Sequence, residues 1–107
     1  MLFDARLHER DGWQLVGVVG DLDLATLPRL RAATDALTGP AVGVDLTAAA
    51  YLDTVALGVL LGARVRALRV GSRFAVVCPP GPVHDLLVEA GVADVLGVVA
   101  TVEELDA

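Results

Sequence analysis

Asp53 stands directly before Thr54, and the pair opens a run, Thr54 to Ala63, that carries no charge. A carboxylate at the start of a helix can accept from the free N–H of Val55 or Ala56, and its charge suits the positive helix end. It can equally orient a neighbouring hydroxyl or a partner's side chain. A phosphate on Thr54 would sit well at such a helix start, where exposed N–H groups and the dipole favour anions. Four aspartates, Asp21, Asp23, Asp45 and Asp53, invite a metal reading, since several fall at what read as strand ends, where carboxylates could converge on a divalent cation. Asp23 can as well begin a turn. Spacing alone does not make a metal site, and none is expected. Ser72 is the only serine and lies in a Gly71-Ser72 turn; His8 and His84 are the only histidines, and neither follows a nucleophile motif. No triad or oxyanion hole suggests itself. Cys78 ends an apolar strand and reads as core. The chemistry-bearing residues therefore point to a non-enzyme without a cofactor.

Composition narrows the choice further. The chain has 107 residues, 55% of them hydrophobic, which is one domain, residues 1–107, with ample material for a core. The net charge of -6 disfavours nucleic acid as a partner. All eight cations are arginines, so mechanisms that need a lysine amine are excluded. A single cysteine excludes an internal disulfide and a cysteine-ligated zinc. Met1 to Arg10 is charged and has no signal-type apolar region. The charge-free run from Thr54 falls well short of the roughly 20 residues of a membrane helix. A cytoplasmic protein, not inserted in a membrane, is expected.

Short elements must position these residues. Leu2 to Glu9 and Trp13 to Gly20 read as two strands joined by Arg10-Asp11-Gly12, a hairpin. Thr26 offers an N-cap to a helix that has Pro28 in its first turn and ends near Leu37. Ala41 to Leu46 is an apolar strand, the pattern of one covered on both faces. Thr47 to Asp53 reads as a loop. A second helix spans Thr54 to Val70, closed by Gly71, with most of the Leu57, Leu60, Leu61 and Leu68 arc on its core side; Arg64, which falls over that arc, either snorkels from the edge or stands in a protein interface on an exposed part of it. Phe74 to Cys78 is a strand, Val83 to Ala90 a helix, Val95 to Ala100 a last strand and Val102 to Leu105 a terminal helix. The order β-β-α-β-α-β-α-β-α implies an α/β domain: a mixed, mostly parallel sheet opened by a hairpin and packed with about four helices.

Certain pieces of this order carry a resemblance. Gly20-Asp21-Leu22-Asp23 ends the second strand, Val44-Asp45-Leu46-Thr47 ends the third, and Tyr51-Leu52-Asp53-Thr54-Val55-Ala56-Leu57-Gly58 opens the long helix. Gly71 follows that helix, and Glu89-Ala90-Gly91 ends the next. Together they resemble a STAS domain, the fold of bacterial anti-sigma-factor antagonists, over nearly the whole chain. In that family the helix usually opens with Asp-Ser-Ser-Gly-Leu-Gly. A partner kinase, itself the anti-sigma factor, phosphorylates the second serine. Here Asp53, Leu57 and Gly58 match. Thr54 stands at the first serine, Val55 at the acceptor and Ala56 at the glycine. Valine has no hydroxyl, so the phosphorylation switch does not carry over intact, and Thr54 is a poor substitute because consecutive helical residues point about 100° apart.

The resemblance implies a regulatory protein that binds a kinase-type anti-sigma factor and so frees a sigma factor for transcription. It implies a partner-binding face at Asp23, Asp53, Thr54, Val55, Ala56 and Gly58. The chain itself is expected to be a monomer or weak dimer. An alternative within the same family is an accessory subunit of a lipid-transport ATPase or of a stress-sensing assembly, which needs a binding surface but no phosphoacceptor.

Overall fold

The computed structural model describes residues 3–105. Strands β1 (Phe3–Arg10) and β2 (Trp13–Leu22) form the expected hairpin. Its two-residue turn places Asp11 at φ 50° and Gly12 at φ 85°, the positive pair that matches strand twist. Then come α1 (Leu27–Asp35), β3 (Ala41–Leu52), α2 (Val55–Arg69), β4 (Arg73–Val77), α3 (Pro82–Glu89), α4 (Ala93–Leu96), β5 (Val98–Val99) and a 3₁₀ turn, Val102–Glu104. The five strands form one sheet in chain order, antiparallel between β1 and β2 and parallel elsewhere. The α/β architecture expected from the sequence is therefore present.

Successive parallel strands that advance in one direction through right-handed crossovers put their helices on one face. The main core lies between that face and the helices. It joins Val16, Val18, Val44, Leu46 and Val76 of the sheet to Leu30, Leu60, Leu87 and Leu96 of the four helices. On the other face a smaller cluster of Trp13, Leu15, Ala41 and Ala75 is covered by Val102 and Leu105. The strands are thus covered on both faces at that end, but only one cover is helical. Arg73 caps the smaller cluster, its guanidinium 4.9 Å from the Trp13 ring centroid.

Four expectations need correction. Thr47 to Asp53 is not a loop: through Leu52 it continues β3, paired with β2 alone, since β4 pairs only Ala41 to Asp45. Two irregularities in the β2–β3 register insert extra residues on β3 and re-aim its end. Thr26 holds the N-cap position of α1 but makes no capping bond; its hydroxyl donates back to the Asp21 carbonyl at 2.8 Å. Val95 to Ala100 is mostly not strand: α4 takes its start, and β5 is only two residues. The core side of α2 is Ala56, Val59, Leu60, Ala63 and Ala67, while Leu68 is exposed and Leu57 and Leu61 are half-buried. Three alanines thus share the buried face of α2 with Val59 and Leu60. Arg64 is half-buried at the flank. The Leu2 end of the first expected strand lies outside the described residues.

The far end of α2 follows the sequence. Gly71, at φ 81°, donates to the Leu68 carbonyl at 3.1 Å, and Ser72 donates its N–H to the Ala67 carbonyl at 2.8 Å. These are the two bonds of a Schellman motif.

Candidate functional site

In a parallel sheet the residues that follow strand carboxyl ends gather at one edge of the domain, and ligands and partners are met there. Leu22 and Leu52 are register partners and both buried, so the residues after them emerge side by side. The Asp53 N–H donates to the Leu22 carbonyl at 2.8 Å. This brings Asp23 from the end of β2 next to Asp53, Thr54 and Val55 at the start of α2.

Asp23 is fixed by a local turn. Its carboxylate accepts from the Thr26 N–H at 3.1 Å, and its own N–H donates to the Thr26 hydroxyl at 3.0 Å. Thr26 is buried, so this turn is a rigid support. Asp53 is held more loosely. Its Oδ1 accepts from the Thr54 hydroxyl at 3.3 Å and from the Val55 N–H at 3.4 Å. The bond to Val55 is the capping contact anticipated from the sequence, at the long end of hydrogen-bond range. The Asp53 carbonyl closes the first turn, accepting from Ala56 N–H at 2.9 Å.

Around these polar groups the surface is apolar. Leu24 is 72% exposed, Tyr51 51% and Val55 44%. Single exposed apolar residues are ordinary; these three lie in the segments where β2 and β3 end and α2 begins. Thr54 and Gly58 are exposed, whereas Ala56 is fully buried and reaches the core. Leu24 escapes sequence reasoning because it sits in a turn with no motif. The only signal for it is its position just beyond a strand's carboxyl end.

The other chemistry-bearing residues do not join this edge as a reactive set. Asp45 accepts from the Thr47 N–H at 2.9 Å and from its hydroxyl, a local turn contact. Among the described residues no three acidic, histidine or cysteine side chains group as metal ligands. Ser72 is buried at the opposite end of the sheet and donates its hydroxyl to the Gly39 carbonyl. A cleft of about 580 Å³ lies at that same far end, lined by Thr38, Pro40, Ala67 and Ser72 and crossed by the Arg66–Asp35 ion pair of 2.9 Å. Burial pushes the Cys78 thiol up to about 11, helped by the nearby Asp45 charge, so it is poorly nucleophilic. No helix among the described residues is long and apolar enough to cross a membrane.

The STAS domain family model matches residues 4–105. Solved structures with the same fold include an anti-sigma factor antagonist from Mycobacterium paratuberculosis. It is 24% identical, with a TM-score of 0.87, over 96% of this chain and 90% of that one. The unphosphorylated anti-sigma factor antagonist SpoIIAA, from Bacillus, is 19% identical with a TM-score of 0.75, over 94% and 91%. A sulfate transporter family protein from Wolinella succinogenes is 14% identical with a TM-score of 0.73, over 88% and 81%. At these identities the likeness is one of fold. Among curated proteins, none matches the chain.

Proposed function

The chain belongs to the STAS domain family, and on that premise we propose that it is a non-catalytic binding protein of the anti-sigma-factor antagonist kind. Its partner in this proposal is a kinase-type anti-sigma factor, whose capture releases a sigma factor for transcription. The binding face is the edge formed by Asp23, Asp53, Thr54, Val55 and Gly58, extended by Leu24 and Tyr51. Ala56 contributes by being small, letting the helix start lie close to the sheet. The observation that carries the proposal is Val55: it stands exposed in the first turn of α2, beside Asp53 and flanked by exposed apolar side chains.

A protein with valine at this position has no acceptor there for the negative charge that would break the complex. The antagonist is therefore always competent to bind, and control lies elsewhere. Val55→Glu places a permanent charge where a phosphate would sit. Calorimetric titration against the anti-sigma factor is expected to show one-to-one binding by the unmodified chain, unaffected by ATP. It should show at least about tenfold weaker binding by Val55→Glu, the loss expected when an unpaired charge enters an interface. Equal binding by the two would remove Val55 from the face.

The missing hydroxyl also favours a second reading. A STAS accessory subunit of a transport ATPase or a stress-sensing assembly needs a docking face and no phosphate, and a transporter family protein shares the fold. Affinity capture from the native lysate separates the two. Recovery of a kinase-type anti-sigma factor supports the first, and recovery of a transport ATPase without any kinase supports the second.

A further inference from the structure

The two faces of the sheet are covered in different ways. Four helices close the main core, but the smaller cluster of Trp13, Leu15, Ala41 and Ala75 is closed by a short segment beyond β5, through Val102 and Leu105. This segment, residues 100–105, is held together from within. The Glu104 N–H donates to the Thr101 carbonyl at 3.1 Å, and the Leu105 N–H to the Val102 carbonyl at 3.2 Å. The Glu104 carboxylate reaches back to accept from the N–H groups of Ala100, at 2.7 Å, and Thr101, at 3.4 Å, as part of a capping box. Among the described residues, the backbone hydrogen bonds of the segment close within it. It can therefore leave the sheet whole, without stranding a backbone donor or acceptor.

Its seating on the sheet is thin. Val102 and Leu105 are only partly buried. A cavity of about 340 Å³ remains between the two layers, lined by Trp13, Ala75 and Val99 of the sheet and by Glu104 and Leu105 of the segment. Arg10 Nη2 meets Glu103 Oε2 at 2.6 Å, and both side chains are largely in solvent, where salt screens such a pair. Beneath this cover Trp13, the only tryptophan of the chain, is 4% exposed.

We propose that residues 100–105 are a strap that opens and closes as one unit while the sheet and helices stay folded, and that its opening uncovers Trp13 and its neighbours as a second apolar surface. Segments with few buried apolar contacts and no ladder bonds open at a fraction of the cost of global unfolding. The Arg10–Glu103 pair biases the strap toward closure, so rising ionic strength favours the open form. Trp13 begins β2 and Asp23 follows its other end, so the uncovered surface is separate from the Val55 edge. Its exposure needs no phosphate and no other protein, and its test is independent of the antagonist assignment.

Native-state amide hydrogen exchange on the full chain tests this. The amides of Ala100, Glu104 and Leu105 are expected to share one opening, and to exchange at least about a hundredfold faster than those of β2 and β3 after correction for intrinsic rates. Glu103→Gln should speed strap exchange about two- to fivefold and leave the sheet amides unchanged. Sodium chloride at about 1 M should do the same to the unmodified chain and add nothing to Glu103→Gln. Leu105→Asp should detach the strap: Trp13 emission moves to longer wavelength and becomes open to acrylamide quenching, while the β3 amides keep their protection. Strap amides as slow as those of the sheet would overturn the proposal, since opening would then require global unfolding. Strap amides with no protection at all would overturn it too, since the closed form would not be populated. So would strap exchange unmoved by Glu103→Gln, a Trp13 that stays shielded in Leu105→Asp, or loss of β3 protection in that variant.

Discussion

Asp53 donates its backbone N–H to the carbonyl oxygen of Leu22, 31 residues earlier, across 2.8 Å, linking the end of one strand to the approach of a helix. The bond has two consequences. It ends the β2–β3 ladder at a fixed point, and it holds the turn of Asp23 against the first turn of α2. The candidate face is therefore assembled by sheet register, and its exposed apolar residues ride on a backbone that the sheet holds rigid.

That rigidity makes the phosphoacceptor position testable by one substitution. Val55→Ser supplies a hydroxyl at an exposed site beside the Asp53 carboxylate. Incubated with ATP and the partner kinase, this variant is expected to take one phosphate at residue 55, read by peptide mass mapping. The unmodified chain should take none at Thr54, whose hydroxyl is turned to Asp53. Phosphate on Thr54 in the unmodified chain would show that the site has shifted by one residue. No phosphate on Val55→Ser would mean that the kinase does not recognise this surface.

The candidate site is proposed from a contiguous stretch: Asp53, Thr54, Val55 and Gly58 lie within six residues, and local chemistry marks the helix start. The errors arose where long-range packing decides. Ala48 and Ala49 have little strand preference, yet they pair with Val19 and Gly20 of β2, and Ala50 is the extra residue of the second irregularity. The apolar run from Val95 was ambiguous between strand and helix, as short apolar runs are. In α2, leucines outnumber alanines as candidates for a core face, but of the four only Leu60 is fully buried, beside Ala56, Ala63 and Ala67.

The rotation of α2 can be checked by stability. Leu60 is fully buried in the main core, so Leu60→Ala should cost about 2–5 kcal/mol. Leu68→Ala, on the exposed face, should change stability by less than about 0.5 kcal/mol. Urea unfolding in dilute solution measures both. Equal costs would put the helix in the orientation anticipated from its leucines.

Glycines give a second contrast. At Gly43 a Cβ would run into the Ala75 carbonyl oxygen and approach Leu15 to 3.2 Å, and both neighbours are held in the sheet interior. Gly43→Ala should cost about 1–3 kcal/mol through overpacking. Gly58 has open space beside it and lies within α2, so Gly58→Ala should raise stability by up to about 1 kcal/mol. Thermal unfolding separates the two by the sign of the shift in Tm.

Cys78 ties reactivity to folding. Its thiol is raised from 9.0 to about 11, first by burial and then by the Asp45 charge. The neutral thiol is the form the fold prefers, so the contribution is intact below pH 9. As pH rises from 9 toward 11 the unfolded chain ionises first and is favoured, and stability falls across that window. At pH 8 the thiolate fraction in the folded protein is about a hundredth of that in the unfolded chain, a two-unit difference. A maleimide or disulfide reagent should therefore label Cys78 slowly in buffer and at least about a hundredfold faster in urea, the limited access of a buried sulfur adding to the effect. Cys78→Ala should abolish the labelling and flatten the stability profile between pH 9 and 11. Rapid labelling of the folded chain would mean that the end of β4 opens readily.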